Sequence, residues 1–346
     1  MTPNLLSSYE IDLSNQADTL EHAAAQPLNL TVAALDLPKY ERIILTGMGS
    51  SDSVSIPFEL ALLRLGLPVW RIQTSRLLET PEMIVGRTLL CITSQSGRSG
   101  EVIALLSQIP SRRDVTVVAI TNDPEGPLAR GADHVVLLYS GPEATVSCKS
   151  YLNSLAWFQR WVAHVTGVSD DAAVAEIIDT ARRLRSINAT PSSQIADLST
   201  RILAGTVPRL ALIGTGADSA TSLAGALILK EASKVCAEGY VGGEFRHGPI
   251  ELAGPGLVAL LFGSGSGGDI TMKKLALDLS RTGSIVVAVT ATSYEGAEHF
   301  EVSAHSDFDR LAHGMSIIQR LSVSLARNSG IVPGEFRFGQ KITSQL

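Results

Sequence analysis

The sequence contains two copies of one pattern, about 167 residues apart. TGMGSSDSV and IGTGADSAT each follow an apolar run, and Gly47 and Gly49 of the first recur as Gly214 and Gly216 of the second. Three more blocks recur in the same order at offsets between 165 and 169: TSQSGRSGEV as LFGSGSGGDI, VVAIT as VVAVT, and GADH as GAEH. A long internal period indicates two copies of one domain, which limits the fold before any residue receives a role.

Each copy alternates short apolar runs with amphipathic segments. The apolar runs predict strands at 42–45, 88–93, 115–120 and 134–138, and again at 209–213, 258–262, 285–289 and 300–302. Runs rich in Val, Ile and Leu that are bounded by Gly, Pro or Asp are typical of strands buried on both faces. Helical spacing at 56–65 and 99–108 separates strands of the first copy. The pattern predicts an α/β fold of two tandem lobes, each a parallel, doubly wound, flavodoxin-like sheet flanked by helices.

Composition places the boundaries between these parts. We expect an N-terminal helical arm at 1–38, a first lobe at 39–166, a helical connector at 167–205, a second lobe at 206–329 and a tail at 330–346. The connector is rich in Ala, Leu, Ile and Arg, as helices are. The tail contains Pro333, Gly334 and Gly339 without a period, so we expect it to lie over another surface, near the active site.

Charge and cysteine content exclude several classes of function. The chain has 346 residues, a net charge of -6 and a pI near 5.7, whereas proteins that bind nucleic acid normally present a basic face. The three cysteines form no C-x-x-C pair, so neither a disulfide framework nor a zinc site is expected. The start of the chain lacks a targeting pattern, and the longest apolar runs are too short to span a bilayer. We therefore expect a cytoplasmic protein without a membrane partner.

A serine-rich loop precedes the second predicted helix of the first copy. Residues 94–101, SQSGRSGE, offer three hydroxyls, an amide and exposed N–H groups, which suit a phosphate. Alternatively, Ser and Gly only make a turn and Ser99 only caps the helix. In the second copy the turn remains, but Ser94 and Gln95 are matched by Phe262 and Gly263. We infer that the first copy holds the phosphate.

The two glycines after the first predicted strand allow a ligand to approach the backbone closely. The segment TGMGSS lacks the third glycine of G-x-G-x-x-G and an acidic residue to read a ribose. It therefore supports nicotinamide cofactor binding only weakly.

The two copies diverge most at 225–249, GALILKEASKVCAEGYVGGEFRHGP. Glu231 falls among apolar neighbours on the predicted helix, where partial desolvation would raise its proton affinity. His247 precedes Gly248 and Pro249, which would hold the imidazole on a fixed turn, able to relay protons near neutral pH. Alternatively, Glu231 lies beside Lys230 on a solvated helix face and His247 is an ordinary turn residue.

From about residue 39 to the C-terminus the chain resembles the double sugar isomerase (SIS) domain proteins, in particular the isomerase half of glucosamine-6-phosphate synthase. SQSGRSGE in the first copy and LILKEASKVCAEGYVGGEFRHGP in the second carry the resemblance. Members of the family include isomerases, deaminases of glucosamine 6-phosphate, deglycases of fructosamine 6-phosphates, etherases and non-catalytic sugar-phosphate sensors. The resemblance implies a phosphorylated sugar as the substrate and no metal or redox cofactor.

The resemblance also implies a role for each matching residue. It places the substrate phosphate and neighbouring hydroxyls on a set of polar side chains in the first lobe: Ser51, Ser94, Gln95, Ser96 and Ser99. Glu231 is matched to the base that moves a proton between C1 and C2, and His247 to a ring-opening histidine that comes from the partner subunit. A homodimer with shared active sites is therefore implied. Lys341 resembles the tail lysine that helps to open the ring or engages the carbonyl, although an ordinary solvated charge is an equal alternative for Lys341 and for Glu244.

Two departures from the synthase pattern guide the choice of reaction. The first lobe begins before residue 50 and no N-terminal cysteine nucleophile is present, so we do not expect glutamine hydrolysis. Ile228 stands where the synthase carries a lysine, one turn before Glu231. The expected function is therefore a hexose 6-phosphate isomerase or deaminase, such as one converting glucosamine 6-phosphate to fructose 6-phosphate, or a fructosamine 6-phosphate deglycase. A simple aldose–ketose isomerase and a non-catalytic sugar-phosphate regulator are the alternatives, and the sequence does not name the sugar.

Overall fold

The computed structural model describes residues 5–109, 114–205, 209–264, 269–302 and 305–343. Two compact units account for the chain. Unit 1 comprises residues 1–15, 144–146 and 182–337, and unit 2 comprises 16–143, 147–181 and 338–346. Most of the second copy of the serine-rich loop, 265–268, lies outside the described residues.

Unit 2 contains the first copy of the repeat. Its strands are β1 (Arg42–Gly47), β2 (Val69–Arg71), β3 (Thr88–Thr93), β4 (Val115–Thr121) and β5 (His134–Leu137). Its helices are α2 (Gln16–Ala24), α3 (Leu30–Ala33), α4 (Ser50–Ser53), α5 (Ile56–Arg64), α6 (Thr74–Glu79), α7 (Gly100–Ser107), α8 (Pro127–Gly131) and α9 (Lys149–Val165), preceded in the chain by α1 (Ser8–Ser14) of unit 1. The helix α10 (Asp170–Ala189) contains the boundary between the two units.

Unit 1 contains the second copy. Its strands are β6 (Arg209–Gly214), β7 (Ala237–Val241), β8 (Leu257–Phe262), β9 (Ile285–Thr290) and β10 (Glu298–Glu301). The helices that follow α10 are α11 (Ser193–Ala204), α12 (Ser219–Ser233), α13 (Ile270–Ser280) and α14 (Asp307–Asn328). No described helix is both long enough and apolar enough to cross a membrane.

The two sheets share one strand order. The first sheet runs β2-β1-β3-β4-β5 and the second β7-β6-β8-β9-β10, and all neighbouring strands are parallel. Numbered within each copy, both orders are 2-1-3-4-5, which is the flavodoxin-like arrangement. The predicted α/β fold of two such lobes is therefore confirmed. Strand and helix bounds agree with the sequence pattern within two residues at most ends, because fully apolar strands are easily recognised.

The sequence pattern did not predict the second strand of either copy. β2 is three residues long and includes Trp70, which is exposed at the edge of the sheet. β7, AEGYV, is also an edge strand and only its first residue is buried. An edge strand with one solvated side lacks the continuous apolar run that marks the central strands.

A glycine in β7 allows the strand to pack closely against α12. A Cβ built on Gly239 would lie 2.6 Å from the carbonyl oxygen of Ser222 and 2.8 Å from Cα of Leu223, both of which are backbone atoms. Gly243, just after the strand, has open space around its missing side chain. The two glycines form a matched pair for testing this contact.

We predict that Gly239→Ala lowers the free energy of unfolding by about 1–3 kcal/mol, because the added methyl group forces β7 away from α12. Gly243→Ala is expected to stay within about 0.5 kcal/mol of the wild type. Denaturant unfolding followed by circular dichroism measures both. Equal stabilities of the two variants would contradict the close approach of β7 to α12.

Candidate functional site

The strand order of unit 2 brings two loops together at the carboxyl edge of its sheet. β1 and β3 are neighbours, and Gly47 is paired with Thr93, so the loops that follow the two strands start at the same level. In a sheet of order 2-1-3-4-5, ligands bind beside these two strands, where the order reverses. The loop after β1 leads into α4, whose second residue is Ser51. The loop after β3 leads into α7 and contains Ser94, Gln95, Ser96 and Ser99.

The serine-rich loop is held in shape by its own backbone. Gly97 has φ of 61°, a left-handed conformation that favours glycine, and its N–H donates to Oγ of Ser94 at 3.2 Å. The N–H of Arg98 donates to Oγ of Ser96 at 3.2 Å. The Arg98 guanidinium donates to the carboxylate of Asp123, which follows β4, at 2.9 and 2.7 Å. The charge of Arg98 is therefore balanced by Asp123. The hydroxyls and N–H groups are therefore the main means by which this loop can bind an anion.

The end of the loop differs from an ordinary helix cap. Ser99 is the N-cap residue of α7, but among the described residues its side chain makes no capping hydrogen bond. The structure therefore does not support the alternative in which the Ser99 side chain only caps the helix. The N–H of Gly100, the first residue of α7, donates to the carbonyl oxygen of Thr343 in the C-terminal tail at 3.0 Å. Gln95 and Ser96 are half-buried and Ser94 is almost fully buried.

The corresponding place in unit 1 is filled by side chains. Asp218, which matches Ser51 in the repeat, is buried, and Arg310 of α14 donates to its carboxylate at 2.9 and 3.1 Å. Asp269 lies nearby and accepts from the hydroxyl of Tyr294 at 2.9 Å. Buried carboxylates repel a phosphate and the guanidinium is already paired, so unit 1 lacks the anion-binding character of unit 2.

Strand pairing corrects the alignment of the two serine-rich loops by one residue. Gly47 is paired with Thr93 and Gly214 with Phe262, so Phe262 corresponds to Thr93 rather than to Ser94. Gly263 therefore takes the place of Ser94. A Cβ on Gly263 would lie 2.9 Å from Oδ2 of Asp269, which explains why this position has no side chain. The inference that the second copy has lost the first hydroxyl is unaffected.

A buried carboxylate in the connection between β5 and α9 was not singled out from the sequence. Glu143 has no exposed side-chain surface. Its carboxylate accepts hydrogen bonds from the N–H groups of Cys148 and Ser150 at 2.9 and 3.0 Å and from the Ser150 hydroxyl at 2.7 Å. The ammonium of Lys341, in the tail, donates to the same carboxylate at 2.7 Å. The only signal in the sequence was a carboxylate in a Gly-Pro turn, which is too common to indicate a partner.

The charge of Lys341 keeps the Glu143 carboxylate ionised. Burial alone would raise the pKa of Glu143, but the ammonium of Lys341 and the N–H groups of Cys148 and Ser150 outweigh it, and the pKa lies below its ordinary value. Lys341 therefore has a defined partner, and the alternative of an ordinary solvated charge does not describe it. The side chain of Lys341 is about one-fifth exposed.

Unit 1 contains the other two predicted catalytic residues. Glu231 lies in the last turn of α12 and is half-buried, next to the exposed Lys230. Ile228, one turn earlier, is fully buried in the core. Glu231 is thus neither on a fully solvated face nor in the core, as the prediction of partial desolvation requires.

The imidazole of His247 is exposed at the end of a short 3-10 turn, Gly242–Arg246. Gly248 follows with φ of 118°, a conformation that favours glycine, and Pro249 starts the next turn. Phe245 is completely buried and packs edge-on against Tyr240 at 5.1 Å between ring centroids. These features hold His247 on a fixed turn, as its neighbours in the sequence predicted.

The tail of unit 1 is anchored next to Glu231. Lys234 ends α12 with φ of 61°, and its ammonium donates to the carbonyl oxygens of Glu231 and, at 2.6 Å, of Glu335. The same ammonium lies 5.9 Å from the ring centroid of Phe336. Lys234 is a second residue that the sequence did not single out, and it ties the backbone at Glu231 to residues 335–336.

Two flavodoxin-like lobes, of which one has a hydroxyl-lined loop where the strand order reverses, define a class of duplicated α/β protein. The SIS domain model matches residues 36–162 and 206–297, and the chain belongs to the SIS domain family. The predicted membership of this family is thereby confirmed.

Known proteins similar to the chain share both sequence and architecture with it. The glutamine–fructose-6-phosphate aminotransferase (isomerizing) of Pyrococcus horikoshii is 31% identical over 229 residues, which are 64% of this chain and 37% of that protein. The C-terminal domain of glucosamine-fructose-6-phosphate aminotransferase from Francisella tularensis has a TM-score of 0.79 at 19% identity, covering 95% of this chain and 98% of that one. Glucosamine-6-phosphate deaminase from Thermotoga maritima has a TM-score of 0.72 at 19% identity, covering 97% and 99%. The chain thus spans well under half of the curated relative, and at these identities the solved structures show the fold.

We predict that Lys341→Met makes stability depend on pH in a new way. A depressed pKa of Glu143 stabilises the wild type above the unfolded pKa of about 4.3, and this contribution is lost as the pH falls through the lower folded pKa. Without the ammonium, burial raises the folded pKa of Glu143, so the variant loses stability as the pH rises above about 4.3. The difference in unfolding free energy should grow from near zero in acid to about 2–3 kcal/mol at neutral pH.

Urea unfolding of Lys341→Met between pH 4 and 8 measures this difference. Lys39→Met removes an exposed lysine and serves as the control, with no comparable pH dependence expected. A difference that is constant with pH would show that Lys341 does not hold the charge of Glu143.

Proposed function

We propose that the chain is an isomerase or deaminase of hexose 6-phosphates. Its substrate is an amino sugar 6-phosphate such as glucosamine 6-phosphate, converted to fructose 6-phosphate, or a fructosamine 6-phosphate that the enzyme deglycates. One observation carries this proposal. The carboxyl edge of the unit 2 sheet offers the hydroxyls of four serines, Ser51, Ser94, Ser96 and Ser99, the last of which makes no capping hydrogen bond. The equivalent place in unit 1 is filled by Asp218 and Arg310.

The phosphate is bound by the two loops of unit 2. Serine hydroxyls donate to its oxygens together with N–H groups of the first turn of α7 other than that of Gly100, which donates to Thr343. The dipole of the helix favours the negative charge of the phosphate. Gln95 contributes its amide to the phosphate or to a neighbouring hydroxyl. Because Arg98 is paired with Asp123, recognition depends on many neutral donors rather than on one cation.

The chemical steps follow from the residues that the family resemblance singles out. His247, contributed by a second copy of the chain in a homodimer, protonates the ring oxygen and opens the ring. Glu231 removes the proton at C2 and returns it at C1, which converts an amino aldehyde into an imine at C2. Water then hydrolyses the imine to the ketose and ammonia. Lys341 engages the carbonyl end of the open chain.

The environments of these residues support their roles. Partial burial of Glu231 favours a carboxylate that is able to accept and return a proton. The imidazole of His247 is exposed on a turn between Gly242 and Pro249, so it is available to a site on another copy. The ammonium of Lys341 is held by Glu143, and the side chain of Lys341 is about one-fifth exposed.

Binding of a hexitol 6-phosphate tests the phosphate loop. We predict that Ser96→Ala and Ser99→Ala each weaken binding by about 10- to 100-fold, because each removes a hydrogen bond to a charged group. Ser264→Ala, in the equivalent loop of unit 1, is the matched control and should bind normally. Isothermal titration calorimetry measures the three dissociation constants. An equal loss of affinity in Ser264→Ala would place the phosphate elsewhere.

Turnover tests the reaction. We expect the wild type to release ammonia and a ketose from glucosamine 6-phosphate or from a fructosamine 6-phosphate, or else to interconvert aldose and ketose phosphates. Glu231→Gln should lower kcat by about 10²- to 10⁴-fold with little change in substrate affinity, since it removes the base but keeps the shape. Glu295→Gln, an exposed carboxylate of unit 1, is the control.

The same assay separates the alternatives. Ketose formation without ammonia identifies a simple aldose–ketose isomerase. If no substrate changes while the wild type and Glu231→Gln bind the sugar phosphate equally well, the chain is a non-catalytic regulator and the proposal fails.

A further inference from the structure

The Glu143 carboxylate connects two segments that are far apart in sequence. Three of its four hydrogen-bond donors, the N–H of Cys148 and the N–H and hydroxyl of Ser150, lie at the start of α9. The fourth donor, Lys341, lies 198 residues away in the tail. A buried carboxylate is stable only when hydrogen-bond donors and a compensating positive charge are present. The ionised Glu143 therefore depends on Lys341, and Lys341 has in Glu143 a partner of opposite charge.

The tail is fixed to unit 2 at a second point, two residues beyond the lysine. The carbonyl oxygen of Thr343 accepts from the N–H of Gly100 at the first turn of α7. Phe338, three residues before Lys341, is fully exposed. Lys341 is therefore held through its ammonium, and the backbone two residues further on is held at the start of α7. The first contact lies in the connection between β5 and α9, which follows the carboxyl end of β5.

A free lysine side chain samples many rotamers, and reaching one reactive position costs conformational entropy. A partner that is itself rigid removes most of this cost before a ligand arrives. Glu143 is suited to this task because its own position is determined by three further hydrogen bonds and by complete burial. Lys149, the other lysine of this region, donates to the carbonyl oxygen of Pro142.

We propose that Glu143 is a positioning residue for the reaction: it holds the ammonium of Lys341 beside the phosphate-binding loop, ready to meet the carbonyl end of the substrate. This role rests on the proposed function only for the part that Lys341 plays in catalysis. The holding of the lysine by the carboxylate is a separate property, which can be measured without substrate.

Amine reactivity tests the holding directly. Brief acylation at pH 8 followed by mass spectrometry gives the labelling rate of Lys341 relative to Lys39, an exposed lysine of the same chain. Glu143→Gln should raise the relative rate of Lys341 about 5-fold or more, because the ammonium loses its charged partner. Glu143→Asp keeps the charge and should give an intermediate rate. Glu79→Gln, an exposed carboxylate in unit 2, is the matched control and should leave the rate unchanged.

Kinetics test the consequence for turnover. Glu143→Gln should lower kcat on the order of 10- to 100-fold with KM changed much less, and Lys341→Met should lower it at least as much. In the double variant, Glu143→Gln should add almost nothing to the effect of Lys341→Met, because it acts through the lysine. Glu143→Asp should recover part of the activity.

Several results would overturn the positioning role. The first is an unchanged labelling rate of Lys341 in Glu143→Gln. The second is a higher kcat in Glu143→Gln, which would show that the carboxylate restrains the lysine. The third is a loss of kcat in the double variant that equals the combined losses of the two single variants. Thermal unfolding of each variant, compared with Glu79→Gln, shows whether it is folded, and Glu143→Asp decides the matter if Glu143→Gln is not. A wild type without turnover defeats the proposed function, whereas the labelling rates still decide whether Glu143 holds Lys341.

Discussion

Parallel pairing of β1 with β3 is the constraint on which the site of this protein depends. The pairing places Gly47 opposite Thr93, so that two loops leave the sheet side by side and at the same height. Their N–H groups and hydroxyls then lie at the same edge of the sheet, an arrangement that suits an anion. β1 and β3 are almost entirely buried, so their backbone hydrogen bonds support the loops firmly. The register of the two strands therefore sets the height of the serines in one loop relative to the other.

The two copies use this framework in opposite ways. In unit 2 the place beside the central strands is lined by neutral donors, whereas in unit 1 the same place contains the ion pair of Asp218 with Arg310. Unit 1 instead provides Glu231 near the end of α12 and His247 on a turn in which Gly248 has a positive φ. The two copies of one sheet thus present different polar residues at equivalent places.

Sequence patterns predicted eight of the ten strands, because most of these are apolar runs that alternate with helical segments and because the same order recurs in both copies. The edge strands β2 and β7 were not predicted from the sequence, because an edge strand need not be apolar on both faces. The serine-rich loop, Glu231 and His247 were recognisable as motifs of contiguous residues. The pairing of Glu143 with Lys341 joins residues 198 positions apart, and no local pattern announces it. The one-residue shift between the two loops likewise needed the strand pairing, since glycine-rich segments align equally well in more than one register.

The ion pair inside unit 1 has a consequence for how the two copies can change over time. Replacing Arg310 alone would leave the buried carboxylate of Asp218 without its cation, and replacing Asp218 alone would leave the buried Arg310 paired only with Asp307. Each single replacement therefore carries a penalty that replacing both residues together avoids. Any change of the second lobe towards the uncharged loop of the first has to pass through one of these two unfavourable intermediates.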